Sequence, residues 1–356
     1  MIRVALDTNA LYTSRAGVAR YVRGLYQALT KRNDPDAEIS DLAWKVENFD
    51  YKQPARACKT FFRELIWAPF VAPGILRKDK IDILHSLAGP FVEPPKPIQS
   101  VVTLHDLAVL RFPRRFRRWH SRAAVHRLKR LHEADQIICV SRFTADEAVK
   151  LLKIESKKLM VIHNGVGRFS IESHGPDGSP EFPAEYFLFV GSLEPGKNLA
   201  LLREMYALAE SKNQPLPPLV IIGARWSGVP KEGAPPKNWI YLGAQSDSVL
   251  RKGYQGAKAL LFPSIYEGFG LPIVEAQMTG CPVICSAIAS LPEVAGTGAL
   301  FADLTAEGYL GAISHLERDS DLRDNLVREG KTNALRFSWD QCAQETVAAY
   351  RQTCRA

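Results

Sequence analysis

A chain of 356 residues with 46% hydrophobic and 24% charged side chains is long enough for two domains of ordinary size, and its composition excludes a disordered or low-complexity protein. No run of 18 apolar residues occurs, and Asp7 interrupts what would be the apolar stretch of a signal peptide. Neither export by that route nor a membrane span is therefore expected, and the expected location is cytoplasmic, at most peripheral at the inner membrane. The net charge of +8 is uneven: residues 1–166 hold 29 Lys and Arg against 17 Asp and Glu, and the remainder holds 17 against 21, so the two halves should face different partners.

In chain order the first half reads as a strand from Ile2 to Asp7, a helix near Val18 to Thr30, and strands at Ile81 to His85 and Ser100 to Leu104. A helix near Trp119 to Ala134, a strand from Gln136 to Val140, a helix from Thr144 to Leu152 and a strand from Leu159 to Ile162 follow. The second half repeats the pattern: Tyr186 to Val190, helix Leu199 to Glu210, Leu219 to Ile222, Trp239 to Leu242, Ala259 to Phe262, helix Pro272 to Thr279 and Pro282 to Cys285. A final amphipathic helix covers Trp339 to Arg355. Alternation of this kind implies α/β architecture, two doubly wound parallel sheets with a cleft between them. The stretch Gly167 to Tyr186, rich in Gly, Ser and Pro, reads as the linker. The expected domains are 1–170, a linker 171–185, 186–337, and a closing helix 338–356 that returns to the first domain. The six cysteines include no C-x-x-C pair and read as reduced thiols.

The segment Arg111 to His132 interleaves basic residues with Phe112, Phe116, Trp119, Val125, Leu128 and Leu131. It fits nucleic-acid binding, attachment to anionic lipid headgroups, or a solvated helix face with an apolar core side; no nucleic-acid module signature accompanies it, so no nucleic-acid partner is expected. Asp34/Asp36 and Asp319/Asp321 read as solvated surface, and no cluster has metal-ligand spacing, so no metal and no cofactor are expected.

Glu267 and Glu275 in SIYEGFGLPIVEAQMTG bracket a glycine turn and a helix start. Gly268 and Gly270 permit the turn, Pro272 suits the first helical turn, and the unpaired N–H groups there favour an anion or a hydroxyl-rich ligand with carboxylates at hand. GSLEPGKN, Gly191 to Asn198, mimics a phosphate-binding Walker loop but ends in Asn198 instead of a hydroxyl and carries Glu194-Pro195 inside, which argues against an ATPase; Lys197 remains a good diphosphate partner. His85 and His105 each follow an apolar strand, where an imidazole is able to enter a cleft, although a structural role fits a lone His as well. Gly17 precedes a helix and permits close approach of a phosphate, or is an ordinary junction. No G-x-G-x-x-G follows the first strand, which argues against a dinucleotide-dependent oxidoreductase.

Taken together, ALYTSRAGVARYV, TLHDL, ICVSRFTADEA, VIHNGV, FVGSLEPGKN, YLGAQSDSVL, FPSIYEGFGLPIVEA, SLPEVAG and FSWDQCAQ resemble the family 4 glycosyltransferases, retaining, nucleotide-sugar-dependent enzymes of the GT-B fold, and most of all the bacterial mannosyltransferases of polysaccharide assembly. The resemblance implies two Rossmann-like domains facing across a cleft. It implies a GDP-, UDP- or ADP-linked hexose donor, with GDP-mannose as the first expectation, and a glycan or lipid-linked acceptor; the basic first half is compatible with such an acceptor at an anionic inner leaflet. Glu267 would bind donor-sugar hydroxyls, the amides of Phe269, Gly270 and Leu271 the sugar or diphosphate, and Glu275 the ribose. Lys197 would neutralise the diphosphate, Gly17 would approach it, His105 would lie beside the sugar, and Ala244 and Gln245 would meet the base. Relatives usually carry an Arg at one of the two places where this chain has Ser192 and Gly196, and each lost guanidinium bond weakens donor binding by about 1.5–3 kcal/mol unless another base such as Arg225 substitutes. An epimerase, a phosphorylase or a non-catalytic nucleotide-sugar binder are the rival functions.

Overall fold

The computed structural model describes residues 1–13, 17–48, 55–88, 91, 93–113, 118–167, 180–224 and 236–355. The chain forms two compact units, Met1–Gly165 with Ser338–Ala356, and Val166–Phe337. Most of the linker segment lies outside the described residues, as do Arg225 and the Arg114–Arg117 stretch.

Each unit is built on six parallel strands. The first holds β1 (Ile2–Asp7), β2 (Ala37–Leu42), β3 (Ile83–Ser86), β4 (Gln99–Leu104), β5 (Gln136–Cys139) and β6 (Leu159–Val161), in the order β2-β1-β3-β4-β5-β6. The second holds β7 (Phe187–Val190), β8 (Leu219–Ile222), β9 (Trp239–Gly243), β10 (Ala259–Phe262), β11 (Val283–Ser286) and β12 (Leu300–Ala302), in the order β12-β11-β10-β7-β8-β9. Winding therefore proceeds outward from β7 in one direction and from β10 in the other. The β7–β10 boundary is the switch point of the second sheet, where loops at the carboxyl ends diverge and leave a crevice.

Side-chain alternation explains why the central strands read as unbroken apolar runs. Phe187, Phe189, Leu219, Ile221, Ala259 and Leu261 pack on one face with the helices Leu199–Ser211 and Ala306–Arg318. Leu188, Val190, Val220, Ile222, Leu260 and Phe262 pack on the other with Asp247–Gly256 and Leu271–Thr279. A strand covered on both faces needs apolar residues at every position.

The closing helix, Trp339–Thr353, belongs to the first unit because its apolar stripe is buried there. Cys342, Ala343, Val347 and Tyr350 share one core with Tyr21, Val22 and Leu25 of the helix Gly17–Arg32. Trp339 fits only because its neighbours are glycines: a Cβ on Gly24 would lie 2.2 Å from the indole, and one on Gly165 would lie 2.6 Å from the Trp339 Cα. Arg351 adds ion pairs at 2.9 Å to both Asp34 and Asp36, so Asp34 is not the solvated surface acid its spacing suggested. Asp319 caps the helix Ser320–Ala334, accepting from the Leu322 amide at 2.8 Å, while its side chain stays 45% exposed at the surface.

Candidate functional site

The loops after β7 and β10 are neighbours because their strands pair, and both converge on Lys197. Gly223, just after β8, has φ +155° and an ideal Cβ there would stand 1.8 Å from the Gly191 carbonyl oxygen, so only glycine permits these two turns to touch. Beyond Gly191, the Glu194 carboxylate accepts the Gly196 N–H at 3.1 Å, while the N–H groups of Lys197 and Asn198 donate to the carbonyls of Glu194 and Pro195 at 3.0 and 3.2 Å. The amides that a Walker loop would offer to phosphate are thus consumed within the turn. What the loop presents is one cation, the Lys197 ammonium. Ser192 sits half-buried beside it, its carbonyl accepting the Glu194 N–H.

That ammonium meets Glu267 at 2.5 Å, with 19% and 12% of the two side chains exposed. Three further bonds hold the loops in place. Ile265 N–H donates to the Gly196 carbonyl at 3.0 Å, and the Ser290 hydroxyl donates to the carbonyls of Glu267 and Phe269 at 2.9 and 3.0 Å. Gly270, at φ +100°, turns the chain into the helix Leu271–Thr279, which begins with Pro272 in its first turn and no side-chain cap. The N-cap, Gly270, has no side chain with which to accept from the first-turn amides, and the positive end of the helix dipole faces the turn. Phe269 is fixed below the turn by edge-on packing against Phe337 at 5.4 Å.

Glu275 projects from the second turn of the same helix and is 1% exposed. Its Oε2 accepts the Tyr254 hydroxyl at 2.9 Å, a bond to a residue of the helix Asp247–Gly256 that sequence reasoning did not single out. The signal was present in Ser246, whose hydroxyl caps that helix through the Val249 amide. Immediately before the cap, the Gln245 amide donates to the Leu242 carbonyl at 2.5 Å, which tethers its side chain to the end of β9.

The first unit holds the other candidates. Gly17 is the exposed first residue of its helix, while the residues just before it lie outside the described ones. His105 is half-buried beyond β4; its Nε2 pairs with the Leu87 carbonyl at 2.8 Å, so that nitrogen carries the proton and Nδ1 keeps its lone pair. Burial holds the ring neutral by lowering its pKa, and Tyr21 packs edge-on at 4.8 Å.

His85 corrects an expectation. It does not enter a cleft but lies wholly in the core, its Nδ1 2.7 Å from the Tyr350 hydroxyl and its Nε2 2.9 Å from Thr103 Oγ1, which Tyr21 also reaches at 3.1 Å. Burial, with the nearby His105 second, pushes its pKa down to about 3. The unfolded chain, with an ordinary value of about 6.5, therefore binds a proton that the fold refuses. Stability from this group is complete above about pH 6.5 and is lost as pH falls toward 3. Melting curves of His85→Gln should start lower than wild type yet lose less Tm between about pH 7 and about pH 5; parallel losses would remove this assignment.

Among the described residues, three cations of the basic segment are paired within the chain. Arg111 forks onto Glu147, Arg127 bonds Glu64 at 2.8 Å, and Arg130 reaches Glu93 at 3.0 Å and Glu133 at 2.6 Å. No helix among the described residues is long and apolar enough to cross a membrane.

Comparison with known proteins places this geometry. Residues 178–333 match the family model Glycosyl transferases group 1, and residues 15–167 match Glycosyltransferase Family 4. The O-antigen chain mannosyltransferase B of Escherichia coli is 32% identical over 305 residues, covering 78% of this chain and 76% of its own. D-inositol 3-phosphate glycosyltransferase of Actinosynnema mirum is 31% identical over 62% of this chain and 58% of its own. Among solved structures, sucrose-phosphate synthase from Thermosynechococcus elongatus superposes with a TM-score of 0.72 over 99% of both chains at 19% identity. The Anabaena protein HepE, solved with UDP and glucose, gives 0.64 over 99% of both at 15%. Two doubly wound sheets, paired charges at a switch point and this match to a mannosyltransferase over three quarters of its length establish that the chain belongs to the family 4 glycosyltransferases, enzymes of the GT-B fold.

Proposed function

We propose that this glycosyltransferase moves a hexose, mannose from GDP-mannose, to a glycan or lipid-linked acceptor with retention of anomeric configuration. The observation that carries the reading is the Lys197–Glu267 pair at the switch point, set beside an uncapped helix N-terminus that also bears Glu275. A diphosphate competes with Glu267 for the ammonium, and sugar hydroxyls replace the ammonium on the carboxylate; one pair of side chains thereby serves both ends of the breaking bond. The amides of Phe269, Gly270 and Leu271 add donors, Glu275 takes the ribose hydroxyls, and Ala244 and Gln245 adjoin the base. The likeness to a mannosyltransferase supports the sugar, and the UDP bound by the Anabaena protein supports the donor class.

In the reaction the bond from C1 to the diphosphate oxygen breaks and the acceptor oxygen bonds C1 on the same face. The acceptor hydroxyl proton passes to the departing phosphate oxygen. Charge accumulates on the diphosphate, so electrostatic stabilisation there is the dominant aid. No metal takes part in this scheme, and turnover should persist in EDTA. The excess positive charge of residues 1–166 suits an acceptor presented at an anionic membrane surface.

Thermal-shift measurements with GDP, UDP and ADP test the donor. Saturation at about a hundred times Kd stabilises a site by about 2.7 kcal/mol, so GDP should raise Tm the most. A larger shift with UDP or ADP would replace the base, and no shift with any of the three would remove the nucleotide-sugar reading.

A further inference from the structure

The stretch from Ala55 to Lys78 turns apolar side chains outward. Its helix Ala55–Phe62 buries none of its residues and runs through a π-helical segment, Arg63–Val71, into the helix Ala72–Lys78. The pairs Phe61–Phe62, Leu65–Ile66 and Phe70–Val71, followed by Ile75, are all exposed, Phe70 to 76% and Phe61 to 59%. These are seven of the twelve large exposed hydrophobic residues among those described.

The π winding is what gathers them. Leu65 and Phe70 are five residues apart, which in an α-helix separates two side chains by about 140° around the axis. At about 4.4 residues per turn the same step leaves only about 50°. The pairs therefore form one ridge. On the opposite side Trp67, Ala72 and Leu76 are buried against Ala5, Leu42 and Leu84, so the element is anchored in the core of the first unit while the ridge points away from it. An apolar depression lined by Ala57, Cys58, Phe61, Phe62 and Ile66 continues the surface.

Charge decides what kind of surface the ridge fits. Within residues 55–78 five Lys and Arg oppose the single acid Glu64. Glu64 itself bonds Arg127 at 2.8 Å, which ties the ridge to the helix Arg118–Lys129 with its exposed Arg122 and Lys129. Exposed Phe, Leu and Ile bordered by cations match the interface of an anionic bilayer, where acyl chains receive the apolar groups and headgroup phosphates the basic ones. We infer that residues 55–78 form a membrane-inserting ridge that docks the first unit on anionic lipid. The inference rests on the proposed membrane-presented acceptor and adds the element that enters the bilayer.

The test is flotation with phosphatidylcholine vesicles and with vesicles of equal parts phosphatidylcholine and phosphatidylglycerol, comparing wild type with the triple variant Phe61→Ser, Leu65→Ser, Phe70→Ser. Wild type should bind the mixed vesicles and not the neutral ones, and the variant should bind at least about tenfold more weakly while hydrolysing donor at the wild-type rate. Should the triple variant misfold, Phe70→Ser alone repeats the measurement at the most exposed position. Equal binding by variant and wild type would overturn the ridge yet leave the anionic surface standing. Absence of wild-type binding to either vesicle would overturn both. Concentration-dependent dimerisation abolished by the variant, without vesicle binding, would make the ridge a protein contact and the inference wrong.

Discussion

Lys197→Ala should lower the rate of nucleotide release from the donor by about 10²–10³-fold, the range seen when one preorganised donor to a developing charge is deleted. The expectation follows from the economy of the loop. Because the Gly196, Lys197 and Asn198 amides are consumed in the turn, the ammonium is the group that the loop offers to a diphosphate. Because positions 192 and 196 are Ser and Gly, no guanidinium at those two places shares the work. Removing the lysine also leaves Glu267, only 12% exposed, without its cation, so Tm should be measured beside kcat. Lys197→Arg, which keeps the charge, should recover part of the loss. Turnover of Lys197→Ala within a few-fold of wild type would remove the leaving-group role.

Glu275 should respond differently. Glu275→Ala is expected to reduce kcat/KM for the donor by about 10–100-fold, the loss of charge-assisted hydrogen bonds of about 1.5–3 kcal/mol, and to destabilise the fold because the Tyr254 hydroxyl loses its acceptor. Glu275→Gln separates the two effects. It retains an oxygen for Tyr254 and so should melt close to wild type, while its weaker acceptor raises KM with kcat little changed, the signature of lost uniform binding. An unchanged KM in Glu275→Gln would leave the carboxylate with a structural role only.

The contrast between these residues and others shows what local sequence encodes. Central strands such as Leu219–Ile222 were legible because burial on both faces demands apolar residues throughout. The edge strand β2, AEISDL, was not: only Ala37 and Leu42 are buried, and Glu38 and Asp41 interrupt any apolar run. Helical residues between Ala55 and Lys78 escaped notice because apolar pairs spaced four to five apart fit a π turn and not the period of 3.6. The glycine turn and helix start at Glu267 were legible as an anion-friendly place. Its pairing with a lysine seventy residues away was not, since that depends on β7 lying beside β10. His85 was misread for the same reason. A strand-end histidine does not announce which face it occupies, and the hydroxyl that holds it comes from Tyr350, 265 residues further along the chain.

The most direct measurement follows the anomeric carbon. Incubation with a panel of nucleotide sugars, watched by NMR, should show release of nucleoside diphosphate from one donor, and in the presence of a mannose-terminated glycan a product with the donor's own anomeric configuration. Inverted product would contradict the same-face mechanism. Conversion of the donor to an epimer, or a bound donor that never releases its nucleotide, would contradict the assignment of glycosyl transfer to the Lys197–Glu267 site.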